Sequence, residues 1–226
     1  MANPTYADFV TFIHDKMEEY LSEDEAALYR LVDNAVAAYS VDFPLVTADQ
    51  TTGDGTYTYS LPSNWEDGFS YVVNVEYPYG EQTPVYTSPK IIEIYLDAND
   101  NTKKLRFKNA TPSSSDTFGL IYTIPHTISD TTSTIPSIHF TPVACLAVAL
   151  AARATALKFA QRRDVDIGST LQLESNSRIL EAIADEYERE YSKFLGIKRG
   201  MTSETLVYDS DYSVSWAGYP VTMRND

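Results

Sequence analysis

A chain of 226 residues that is 43% hydrophobic has material for one large domain or two small ones and for a sizeable core. Its formal charge of -15 argues against binding nucleic acid through phosphate neutralisation, which needs clustered Lys and Arg. The single cysteine, Cys145, excludes an intrachain disulfide. The opening "MANPTYADFVTFIHDKMEEY" lacks a basic region followed by an apolar core, which predicts a protein without a leader that is made and kept in a cytoplasm.

Residues 1–44 read as a helical hairpin. Phe9, Phe12, Ile13, Met17, Tyr20 and Leu21 recur at helical spacing. "SEDE" from Ser22 then has the capping-box pattern, and Leu28, Leu31, Val32, Ala35 and Tyr39 make the stripe of a second helix ending near "DFP". Residues 45–138 change period. "TYTYSL", "FSYVVNVEY", "IIEIYL", "KKLRFK" and "TFGLIYTI" are short, rich in β-branched and aromatic residues, and divided by turn material, which predicts an inserted antiparallel β module of about five strands. The polar "HTISDTTSTIP" connects this module to the C-terminal helices.

Residues 139–196 hold two more helices. In "HFTPVACLAVALAARATALKFAQRR" Thr141 is placed to cap and Pro142 to open the first, whose apolar run Val143–Ala152 is well short of the ~20 residues that cross a bilayer. No membrane is therefore expected. Ala147, Ala151 and Ala154 leave little side chain between this backbone and a neighbour, so helices can approach closely on more than one side. Cys145, inside this helix, is expected to be buried and inert. The last helix runs from about Ser169 to Leu195, with Leu180, Ile183, Ala184, Tyr187, Tyr191, Phe194 and Leu195 on one stripe, acidic residues elsewhere, and Gly196 as its stop. Residues 197–226 have weak periodicity but carry Tyr208, Tyr212, Trp216 and Tyr219, more aromatics than a solvated tail uses. They read either as a strand folded back on its own domain or as an extended arm inserted into a neighbouring subunit. The fold class is α+β: a helical bundle made of an N-terminal hairpin and two C-terminal helices, with an inserted β module and a C-terminal arm.

Chemistry leaves few marks on this chain. There is no Gly-rich phosphate loop, zinc-type spacing or serine elbow. His14, His126 and His139 fall on a helix, a strand end and a loop without ligand spacing, so structural roles are expected of them. "DANDNT" imitates the opening of a calcium loop, but Thr102 replaces the required Gly and Lys108 stands where the bidentate Glu belongs, so it is a turn. Arg162 and Arg163 are candidates for touching DNA or an acidic partner, although offsetting the helix dipole and pairing with the acidic neighbouring helix is the favoured reading of them. No catalytic residue, metal ligand or cofactor is assigned, and the chain is expected not to be an enzyme.

Taken in order, the hairpin, "LPSNWEDGFSYVVNVEYP", "LRFKNATPSSSDTFGLIYTIPHTISDTTSTIP", the Ala-rich helix and the Tyr-lined acidic helix resemble the head-to-tail connector (neck adaptor) proteins of tailed bacteriophages, over roughly Tyr6 to Leu195. The resemblance implies a structural virion protein, made in a host bacterial cytoplasm. It would form a ring with itself, commonly of twelve copies, beneath the portal protein, join it to a stopper or tail protein, and leave a channel that DNA passes without specific binding. On that reading Tyr208, Tyr212, Trp216 and Tyr219, with Arg162 and Arg163, are the assembly contacts, and the alanines form a wall shared within and between subunits. The alternatives are a stopper or tail-completion neck protein and, from another class, a β-sandwich carbohydrate-binding module whose platform is the aromatic strands.

Overall fold

Helical periodicity in the first forty residues becomes two helices, α1 (Tyr6–Met17) and α2 (Glu25–Asp42). Asp8 caps the start of α1: its carboxylate accepts the Thr5 N–H at 2.7 Å and the Thr5 hydroxyl at 2.9 Å, the backbone half of a capping box. Phe9, Ile13 and Met17 of α1 are buried, as are Leu28, Val32, Ala35, Val36 and Tyr39 of α2. The computed structural model describes residues 3–17, 20, 25–81, 83–87, 89–108, 111–161 and 167–202, with the backbone alone at 167–174 and 197–202. Ser22, which opens the proposed SEDE cap, lies outside the described residues, and its Glu25 is the first residue of α2.

The chain divides into two units, one formed by Met1–Asp42 with His126–Asp226, the other by Phe43–Pro125. The helical unit also contains α3 (Phe140–Gln161) and α4 (Ile167–Thr202). A 3-10 turn at Ser137–His139 runs straight into α3, so Pro136, with extended dihedrals, precedes the helical path and Thr141 lies inside it. Thr141 is therefore not the cap. Pro142 still falls in the first turn, where a missing N–H is tolerated. α4 continues through Gly196 to Thr202, because a single glycine only weakens a helix by about 1 kcal/mol unless it takes up a left-handed conformation.

α3 is the centre of this unit, with α1, α2 and α4 all packed on it. Val143, Ala144, Ala147, Val148, Ala151 and Ala152 are essentially inaccessible, and Leu180, Ala184 and Tyr191 of α4 are buried in turn. Burying each Val or Leu contributes about 1.5–3 kcal/mol. Ser137–Gln161 is long and apolar enough to cross a membrane, yet most of it is buried within the protein. The three helices packed on it account for its apolar character.

The boundary after the β segment falls at His126, ahead of the predicted 138. The His126 N–H donates to Ser40 Oγ of α2 at 2.9 Å and Asn3 Nδ2 donates to Ser133 O at 2.7 Å, so the polar connection is bonded into the helical unit.

In the β unit, β1 (Leu45–Thr52), β3 (Val72–Glu76), β4 (Tyr86–Thr87) and β7 (Thr117–Ile124) form an antiparallel sheet in the order β1-β7-β3-β4. β2 (Thr58–Ser60), β5 (Ile92–Leu96) and β6 (Lys103–Phe107) form a second, in the order β2-β6-β5. The two sheets share one core. Tyr59, Ile92, Leu105 and Phe107 from the second sheet cluster with Val75, Phe118, Leu120 and Tyr122 from the first, and Phe118 meets Tyr59 and Phe107 edge-on, each at 4.9 Å. This is a small sandwich. Gly53 follows β1 where a Cβ would lie 2.3 Å from the Ser113 carbonyl oxygen, an approach only glycine allows.

Candidate functional site

The opening candidates are the alanines of α3. Ala147 and Ala151 are wholly buried and Ala154 is half-buried. Thr155 Oγ1 donates to the Ala151 carbonyl at 2.9 Å, and Ser177 Oγ of α4 donates to the Ala156 carbonyl at 3.2 Å. The second of these bonds needs α4 lying almost on the α3 backbone, which the short side chains permit. The wall around Ala147 and Ala151 is thus supplied by helices of the same chain. On the exposed side Arg153 forms ion pairs with Asp185, at 3.5 Å, and with Glu188. Burial pushes the Cys145 thiol up, with Glu190 adding to the effect, so the thiolate needed for nucleophilic work is disfavoured.

The histidines are less scattered than their positions in sequence. Tyr39 of α2 packs against the rings of both His126, at 5.0 Å, and His139, at 5.8 Å. Its hydroxyl is hydrogen-bonded to His139 Nδ1 at 2.5 Å, and burial pushes the phenol up to about 12. His126 Nδ1 lies 3.1 Å from both oxygens of Thr134, and His139 packs edge-on against Phe194 of α4 at 5.1 Å. The cluster fastens α2, the connection and α4 together. Among the described residues no group of three His, Cys, Asp or Glu side chains is disposed to hold a metal.

The β unit carries the more accessible site. A groove of about 450 Å³ lies at β5, lined by its Ile92, Ile94 and Leu96 and by Trp65 and Tyr71. Trp65 is backed by Tyr122, with ring centroids 5.8 Å apart. At the rim Lys103 Nζ is 3.1 Å from the Asp67 carboxylate. On the outer face of the same sheet the Arg106 guanidinium lies 3.8 Å from the centroid of the Tyr95 ring and 5.8 Å from that of Tyr57. Arg106 Nε is buried without a hydrogen-bond partner. Lys104, its neighbour on that face, is held by Asp97 and Asp100, each at 2.7 Å. The ammonium lowers both carboxyls, Asp100 to about 2. The imitation calcium loop therefore spends its two aspartates on a lysine.

Trp65, Tyr95 and Arg106 are absent from the candidates drawn from sequence. Their signal is present in "KKLRFK", whose alternation puts Lys104 and Arg106 on the face opposite Leu105 and Phe107. Tyr208, Tyr212, Trp216 and Tyr219, with Arg162 and Arg163, lie outside the described residues. Comparison with known protein families matches none to this chain, and no curated protein matches it.

Proposed function

We propose that this chain is a structural subunit of a bacteriophage neck, a head-to-tail connector that forms a ring beneath the portal and joins it to the stopper or tail. The observation carrying this reading is the arrangement of the chain: a hairpin and two later helices close around α3, while residues 43–125 are inserted between α2 and α3 as a separate β unit. That arrangement resembles the connector family's helical bundle with a β insertion. A charge of -15 suits a channel wall that repels DNA rather than binding it. The buried thiol and a histidine cluster committed to holding helices together favour assembly over catalysis, and the chain works in the virion without a cofactor. A stopper or tail-completion role differs only in the layer of the neck occupied.

The experiment is to mix the purified chain with portal rings or tailless heads and read the mass of the complex. Stoichiometric binding with a fixed ring copy number, twelve by the resemblance, supports the proposal; a chain that neither joins portal particles nor self-associates defeats it. One observation favours a second reading. The two-sheet sandwich with an aromatic groove has the form of a carbohydrate-binding module, and such a module would stay monomeric and be retained by immobilised polysaccharide.

A further inference from the structure

A sheet edge is a row of unpaired backbone donors and acceptors, and an extended segment of another chain can complete it. β5 is the end strand of its sheet, and its backbone pairs with β6 alone among the described residues. The edge carries neither Pro nor Lys nor a break in register between Ile92 and Leu96, and Glu93 is its one charged residue. It also opens onto the groove. In strand addition the backbone supplies affinity and side-chain pockets supply specificity; here Trp65 and Tyr71 line the same groove as the edge. Leu96, lining it, is 57% exposed.

We propose that this groove receives residues 206–216 of a second copy of the chain, added as a strand along β5. Twenty-four residues follow Thr202, the last described position, and their sequence suits the site. Weak as the pattern is over the whole tail, Leu206, Tyr208, Tyr212, Val214 and Trp216 all occupy even positions, while Asp209 and Asp211 occupy odd ones. As a strand this segment sends these five side chains to one face and its acids, with Val207, to the other. Five or six of its residues match the length of β5. With the apolar face in the groove, the acids lie on the outer face of the sheet, one strand spacing from the exposed Glu93 of β5 and about two spacings or ~10 Å from Arg106, its cross-strand partner on β6. The nearer Glu93 carboxylate offsets the more distant guanidinium, so burial of the apolar face, and not charge, decides which face turns inward. That the donor is a second copy rests on the proposed ring; the groove's fit to this segment does not.

The test uses full-length chains. A Leu96→Cys chain is mixed with chains bearing Tyr208→Cys, Tyr212→Cys or Val214→Cys, assembled on portal particles and treated with a short bismaleimide. The proposal expects a cross-linked heterodimer from at least one pairing, and none when Leu157→Cys, exposed on α3, replaces Leu96→Cys. Normal thermal melting of each variant keeps the reading independent of misfolding. Particles that contain the ring but give no link to β5 overturn this inference and leave the connector proposal standing, whereas failure to assemble overturns both. Linking within one doubly substituted chain at dilutions where it is monomeric overturns the second-copy donor. An oligosaccharide that protects Trp65 fluorescence from quenching, where a peptide of residues 204–217 does not, overturns the strand reading.

Discussion

The Tyr191 hydroxyl of α4 donates to the Asp42 carboxylate at the end of α2 across 3.0 Å. With Phe194 packed on His139 one turn further along, it anchors the far half of the longest helix to the hairpin. A hydrogen bond to a charged acceptor contributes about 1.5–3 kcal/mol. Tyr191→Phe keeps the ring and removes the donor, so it should destabilise by about 1–2 kcal/mol, read as a lowered midpoint in urea. An unchanged midpoint means that the bond is replaced by water and α4 is held by packing alone.

Ala151→Leu adds bulk where there is no space, and overpacking of this kind costs about 1–3 kcal/mol. The site is wholly buried within one chain, so the loss should appear in the melting of the isolated protein. Ala154→Leu, at a half-buried position, should be milder in melting. If it melts normally but fails to assemble, Ala154 faces a neighbouring subunit.

Alkali should destabilise the helical unit. Burial holds the Tyr39 phenol at about 12, against about 10 in the unfolded chain. Below pH 10 both states keep the proton and the stability is undisturbed. Between pH 10 and 12 the unfolded state loses its proton first, so stability falls as pH rises. Denaturant midpoints from pH 9 to 12 should fall, and the Tyr39→Phe chain, though less stable at neutral pH, should show a shallower decline.

Acid should loosen the β5–β6 turn. Lys104 keeps the Asp97 and Asp100 carboxyls below their ordinary value, Asp100 at about 2. Their support is complete above the ordinary carboxylate range and is lost as pH drops from about 4 through the folded value. Protection of the Asp97 amide, which donates to Thr102 O at 2.8 Å, should fall over that interval once exchange is referred to the intrinsic rate at each pH. In Lys104→Met, protection is already lower at neutral pH and changes less with acid.

The parts legible in sequence are those whose pattern is local. The stripes of α1, α2 and α4 and the five alternating segments follow from helical and strand periods alone. β1 leaves no such mark because "LVTADQTT" is short of large apolar residues; it is an edge strand whose side chains are largely exposed, and its identity comes from eight consecutive pairings with β7. β4 has two residues, too few for any pattern. The meeting of Tyr39 with His139, 100 positions away, and the groove lined by β5 and Trp65 depend on topology. The stop expected at Gly196 does not occur because a glycine permits a C-cap without imposing one.

A symmetric reconstruction of the neck of the particle that carries this chain tests the central claim most directly. The account predicts a closed ring of copies between portal and tail, with their helical units enclosing a DNA channel and a density strand beside each β5. Finding the chain as separate appendages on the particle surface, or missing from the neck while the ring is built of another protein, contradicts it.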